Sequence, residues 1–145
     1  MILAAIAIVA TGLFAGAALY INVVEHPARI ECGIDVALRE FAPSYRRASV
    51  MQALLAAIGF VAGIAAWLAL GEIALLAGAL LIGAVVPFTL LVIFPTNKQL
   101  LAPTLDPSSA GAADLLDRWQ RLHAVRTCLS LAALAVFLWA TLWSA

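Results

Sequence analysis

The chain has 145 residues, of which 66% are hydrophobic and 11% charged, and its eight basic and eight acidic residues give zero net charge. A soluble domain is about half apolar and a quarter charged, so the composition excludes an ordinary water-soluble domain. The charge balance excludes a bulk field that would draw nucleic acid or an acidic substrate.

Charge placement divides the chain. All eight Lys and Arg lie in two segments, Arg29, Arg39, Arg46 and Arg47 in the first, then Lys98, Arg118, Arg121 and Arg126. Four apolar runs, Met1–Val24, Ala48–Leu70, Ile73–Phe94 and Thr127–Trp143, contain none of them. A hydrocarbon core about 30 Å thick takes roughly 20 apolar residues in a helix. Unpaired backbone groups are too costly in lipid, so each run is predicted to be helical. The fourth run is short, and its helix is expected to begin upstream. The fold class is therefore all-α, a four-transmembrane-helix bundle forming one domain over 1–145, with spans at about 1–24, 48–70, 73–94 and 119–143.

Run one carries Gly12-x-x-x-Gly16 and, at its end, Asn22 and His26 on one helical face. Met1–Leu13 has no basic n-region, so the run reads as a retained span and not a signal peptide. The first connector, Glu25–Arg47, repeats apolar residues at Ile30, Ile34, Leu38 and Phe41, with charges on the other faces. That spacing predicts a short amphipathic interfacial helix in the first connector. Pro43 and Ser44 then read as the start of run two, with Tyr45 and Arg46 in its first turns.

Run two carries Gly59-x-x-x-Gly63, and run three carries Gly78 and Gly83. Lipid tails give helices no hydrophobic reason to associate, so small residues that admit close backbone approach are expected to pack the bundle. The same faces offer a surface for a second copy of the chain. Gly71-Glu72 joins runs two and three in a tight antiparallel hairpin. Pro87 removes a backbone bond inside run three and predicts a kink there.

The second connector holds Pro95, Pro103 and Pro107, and Asp106-Pro107 reads as a helix start. From about Ser109 the pattern runs unbroken into span four. Trp67, Trp139 and Trp143 fall at one end of the spans, and Tyr20, Tyr45, Phe94 and Trp119 at the other, as interfacial belts do. The positive-inside bias places both connectors in the cytoplasm and both termini outside, in the cytoplasmic (inner) membrane. Cys32 and Cys128, the two cysteines, read as small semi-buried hydrophobes with no disulfide expected.

Chemistry-bearing residues gather on the connector side. His26 and His123 are the two histidines. Trp119, His123 and Arg126 are spaced four and three, forming one stripe on helix four. Asn22, His26, Asn97, Trp119, His123 and Arg126 would converge if both stripes face inward, and ionisable residues facing a membrane bundle are candidates for function. Each has a plainer role available: His26 capping carbonyls, Trp119 and Arg126 anchoring at the interface, Asn97 forming an Asx turn.

The segments GLFAGAALYINVVEHPAR, FAPSYRRASVMQ, FPTNKQLL and WQRLHAVRTCLSLAAL are similar to those of the anthrone-oxygenase-like family of small four-span membrane proteins. The resemblance covers nearly the whole chain in order. It implies oxidation of a lipophilic aromatic, an anthrone in the characterised members, to a quinone by O2 without an obvious cofactor. It also implies the site residues Asn22, His26, Tyr45, Arg46, Asn97, Trp119, His123 and Arg126. In that reading His123 is the base, with His26 as alternative. Arg126 and Asn97 hold the oxyanion, and Trp119, Asn22, Tyr45 and Arg46 bind substrate. Two other readings stand beside it. His26 and His123 could ligate haem or a single metal ion. Alternatively, the chain could be a non-enzymatic accessory membrane subunit; the absence of any Asp or Glu within the runs argues against a proton-coupled exporter.

Overall fold

The computed structural model describes residues 1–143, with the side chain of Trp143 outside that description; the belt position expected for it is therefore not among the described ones. Four helices make up the molecule: α1 Ile2–Glu31, α2 Ile34–Leu70, α3 Ile73–Leu100 and α4 Ala110–Trp143. Each is long and apolar enough to cross a membrane, as the runs predict. Consecutive helices pack on one another, and α1 closes the ring against α4. The result is an antiparallel four-helix bundle in which α1 and α3 are diagonal.

The helices outrun the apolar runs. At 1.5 Å per residue, the 37 residues of α2 extend about 55 Å, well beyond a hydrocarbon core. The expected interfacial segment is helical, but it is divided between the end of α1, which holds Ile30, and the N-terminal extension of α2, and is not a separate helix on the membrane surface. Pro43 lies inside α2, not at its start. The physical reason is burial. Ala37 and Phe41 are buried, and Ile30, Ile34 and Leu38 pack beside them, in a second core with Ile93, Leu100, Leu116 and Trp119. The apolar stripe thus covers the bundle's own end. Gly33, at φ +102°, makes the sharp link between α1 and α2 that an L side chain would resist.

Two prolines that would be expected to stop helices do not. Pro27 follows a wide turn at Ile21–Glu25, where the His26 N–H reaches back five residues to the Ile21 carbonyl. Pro95 follows a matching turn at Thr89–Ile93, where the Phe94 N–H bonds the Thr89 carbonyl. A proline ring crowds the carbonyl four residues back, and the wide turn moves that carbonyl aside. Such π turns are rare and concentrate at functional sites. Pro87, where a kink is expected, itself lies within the regular helical stretch Ile73–Phe88; the departure from regular geometry comes after it, at Thr89–Ile93, where the Thr89 hydroxyl donates to the Val85 carbonyl at 2.7 Å.

The uncharged half of the bundle is held by small residues. Phe137 of α4 seats on Gly63 of α2 and Gly78 of α3; a Cβ at either would come within 2.7 and 2.8 Å of its ring. Phe60 covers Gly83 in the same way. Gly12 and Gly16 behave differently. A Cβ at Gly12 would make only ordinary contact with Leu134, and one at Gly16 would meet nothing. That part of the small-residue expectation is therefore not met within the bundle. At the α2–α3 turn, Gly71 adopts φ +75° and its N–H closes on the Trp67 carbonyl at 2.8 Å. Helix α4 is capped by the Ser109 hydroxyl, which accepts the Ala112 N–H at 3.3 Å. Just before it, the Ser108 hydroxyl and amide donate to Asp106 and hold its carboxyl below the usual range.

Candidate functional site

Measured from the uncharged end, about 20 residues of helix bring each chain segment to Ile21, Met51, Val92 and His123. Apart from the hydroxyls of Thr11, Thr127 and Ser130, the polar side chains of the bundle interior lie near this level or nearer the connectors. They line or support one cavity of about 200 Å³ between all four helices.

His123 is on the cavity wall and almost fully buried. Its Nδ1 lies 2.7 Å from Asn22 Oδ1 across the α1–α4 contact. The orientation of that amide is set elsewhere. Asn22 Nδ2 donates to the Gln120 carbonyl at 3.3 Å, and the Thr127 hydroxyl donates to Asn22 Oδ1 at 2.6 Å. An amide oxygen only accepts, so His123 carries its proton on Nδ1. Nε2 is left as the basic nitrogen.

Trp119, one turn earlier, fixes the imidazole from the side, with ring centroids 4.7 Å apart and planes 28° apart. The indole also meets His26 at 5.3 Å and the edge of Phe41 at 5.4 Å. It is therefore a wall packed by three rings, and it lines the cavity. Its N–H donates to Asn97 Oδ1 at 2.8 Å. Asn97 lines the cavity, and with its oxygen engaged its amide N–H groups remain as donors.

Arg126 lies one turn beyond His123. Its guanidinium donates to Gln52 Oε1 and sits 5.0 Å over the ring of Phe14. Among the described residues no carboxylate pairs with it; the ion pairs belong to Arg29, Arg39 and Arg121. Arg126 Nε and Gln52 Nε2 are both buried without a partner. A buried cation lacking a counter-ion is costly, and here its donors belong to residues of the cavity wall. Arg29, also on the wall, is by contrast clamped by Glu25 and, at 3.0 Å, by Glu40.

The structure thus brings together His123, Arg126, Asn97, Trp119 and Tyr45 on one cavity, with Tyr45 stacked on Phe41 at 5.9 Å. Asn22 stands behind the wall as the partner of His123. His26 is fully buried against Trp119 with both ring nitrogens unpartnered, but it does not line the cavity. Arg46 is exposed and lies off the wall; Tyr45, its neighbour, takes the inward face because consecutive helical residues point about 100° apart. The two imidazoles considered as haem or metal ligands both pack on Trp119. Among the described residues no cluster of three His, Cys, Asp or Glu side chains joins them.

Gln52, Thr127 and Phe14 were not singled out by sequence. Gln52 had a signal: like Asn22 in run one, it is the one side-chain amide inside its charge-free apolar run.

A family model described as anthrone oxygenase matches residues 41–136, more than half of the chain. The matched stretch contains Tyr45, Gln52, Asn97, Trp119, His123 and Arg126, and stops short of Asn22 and His26. No curated protein and no solved structure gives a match.

Proposed function

This chain belongs to the anthrone oxygenase family, and on that premise we propose that it oxidises a flat, lipophilic aromatic ketone with O2. The substrate carries an acidic CH2 conjugated to a carbonyl, as in an anthrone. One observation carries the reading: a tautomer-locked imidazole and a guanidinium without a carboxylate partner share one cavity at the edge of the hydrocarbon layer.

His123 Nε2 removes a proton from the CH2 carbon, and the charge moves onto the carbonyl oxygen. Arg126 holds that oxyanion, with the Asn97 amide as a second donor. The electron-rich enolate passes one electron to O2, and the resulting radical pair combines at the same carbon to form a hydroperoxide, protonated by the imidazolium. Loss of the remaining C–H proton and of hydroxide yields the second carbonyl and water. Overall, CH2 and O2 become C=O and H2O. Of the two histidines His123 is the base, because it alone lines the cavity and has a fixed tautomer.

Membrane placement follows from charge. Four apolar helices cross the bilayer, and the two basic connectors face the cytoplasm.

The test is conversion of anthrone by the detergent-purified protein, followed by O2 uptake and quinone absorbance. Removal of a positioned base costs about 10² to 10⁴ in rate, so His123→Ala should fall by that factor while still folding. Wild-type protein no faster than buffer, or His123→Ala at full rate, would refute the assignment.

A further inference from the structure

The cavity must be filled from somewhere, and its walls differ. Of the lining residues from α1 and α4, Phe14, Ile21, Arg29, Trp119 and His123 are buried and Arg126 is partly buried; none is exposed. Toward the connectors the cavity is bordered by Phe41 of the second core, with Leu100 and Leu116 buried in the same cluster. Lining residues that also reach the outer surface lie on α2 and α3: Ala53, Val86, Leu90 and Phe94.

These residues mark a seam between two helices that are tightly joined elsewhere. A Cβ on Gly63 would come within 2.9 Å of Ala79, and one on Gly83 within 2.6 Å of Phe60. Nearer the connectors the contact changes. Helix α2 presents Ser49 and Ala53, while α3 widens into its π turn at Thr89–Ile93. The Thr89 hydroxyl is turned back on its own helix, leaving the seam apolar. Ala53, Val86 and Leu90 lie on the hydrocarbon side of the level marked by Met51 and Val92.

We infer that the ligand reaches the cavity sideways, from the acyl-chain layer of the connector-side leaflet, between α2 and α3, with Ala53 and Leu90 as the two jambs of the opening. This rests on the proposed aromatic substrate. It adds the compartment that delivers the substrate, dissolved in the bilayer and not in water, and the residues that limit its passage. One competing route exists on the page, a charged groove formed by Glu25, Glu40, Ser44, Arg47 and Met51 that shares Ser44 and Ala48 with the cavity.

The experiment uses full-length protein in phosphatidylcholine vesicles, with Trp67, Trp139 and Trp143 replaced by Phe so that Trp119 alone fluoresces. Alizarin dissolved in a second vesicle population is mixed in, and quenching of Trp119 is followed in time. Ala53→Phe should slow quenching by about tenfold, and Leu90→Ala should accelerate it. Met51→Phe, in the groove, should leave the rate unchanged. Slowing by Met51→Phe, or equal rates for Ala53→Phe, Leu90→Ala and the parent, overturns the lateral route while leaving the oxidation reading intact. Absence of any quenching in the parent protein removes both.

Discussion

The base at the centre of the site is held by an amide one helix away. Asn22 presents its oxygen to His123, and that choice of face depends on the Gln120 carbonyl and the Thr127 hydroxyl. Asn22→Leu removes the acceptor and frees the imidazole to take the other tautomer, which turns its proton toward the ligand. Turnover should fall by about 10² while alizarin still quenches Trp119, since mis-set tautomers cost catalysis and not binding. Equal losses in both readouts would instead mark Asn22 as structural. The stripe Trp119, His123 and Arg126 was legible because helical spacing within one segment is local information. The partnership of Gln52 with Arg126 was not, since it joins α2 to α4, and nothing in a sequence states which two spans touch. Arg46 stays off the cavity wall for a related reason: with α2 continuous through Pro43, the helix phase that brings Tyr45 inward turns Arg46 out.

At the scale of helices, small residues act only where a partner arrives. Gly63 receives the ring of Phe137 and the methyl of Ala79, whereas Gly16 faces open space. Gly63→Ala should destabilise the bundle by about 1–3 kcal/mol through overpacking. Gly16→Ala should be neutral or stabilising by up to about 1 kcal/mol, because alanine is the better helix former. Chemical denaturation in mixed micelles compares the two; equal effects would show that the Phe137 seat is not what joins α4 to α2 and α3. From sequence the two GxxxG patterns are indistinguishable. Only the position of a bulky residue on another helix separates them. Pro27 and Pro95 show the same limit. Local rules end a helix near each, but a single wide turn lets α1 and α3 continue, and the buried apolar face beyond repays the irregularity.

For the whole molecule, hydropathy and charge defined four helices and their common polar side, because both are additive along the chain. They did not define how far the helices project beyond the bilayer, which is decided by burial of Phe41, Leu100 and Leu116 in the second core. The orientation across the membrane is testable through Cys32, which is exposed beside the α1–α2 link. In a Cys128→Ala background, a membrane-impermeant maleimide should label inside-out vesicles and spare right-side-out ones. Labelling of the right-side-out population alone would invert the assignment.

Phe137 has a mechanical consequence. Resting on Gly63 and Gly78 at once, it pins three helices together near the uncharged end. Ala53 lies ten residues along α2 from Gly63, about 15 Å away. Phe60 on Gly83 carries the α2–α3 contact a further turn toward the cavity, and beyond the cavity the second core ties the same two helices again through Phe41, Ile93 and Leu100. The apolar seam is thus a window framed at both ends, and a lateral opening there leaves the joints that keep the bundle folded untouched.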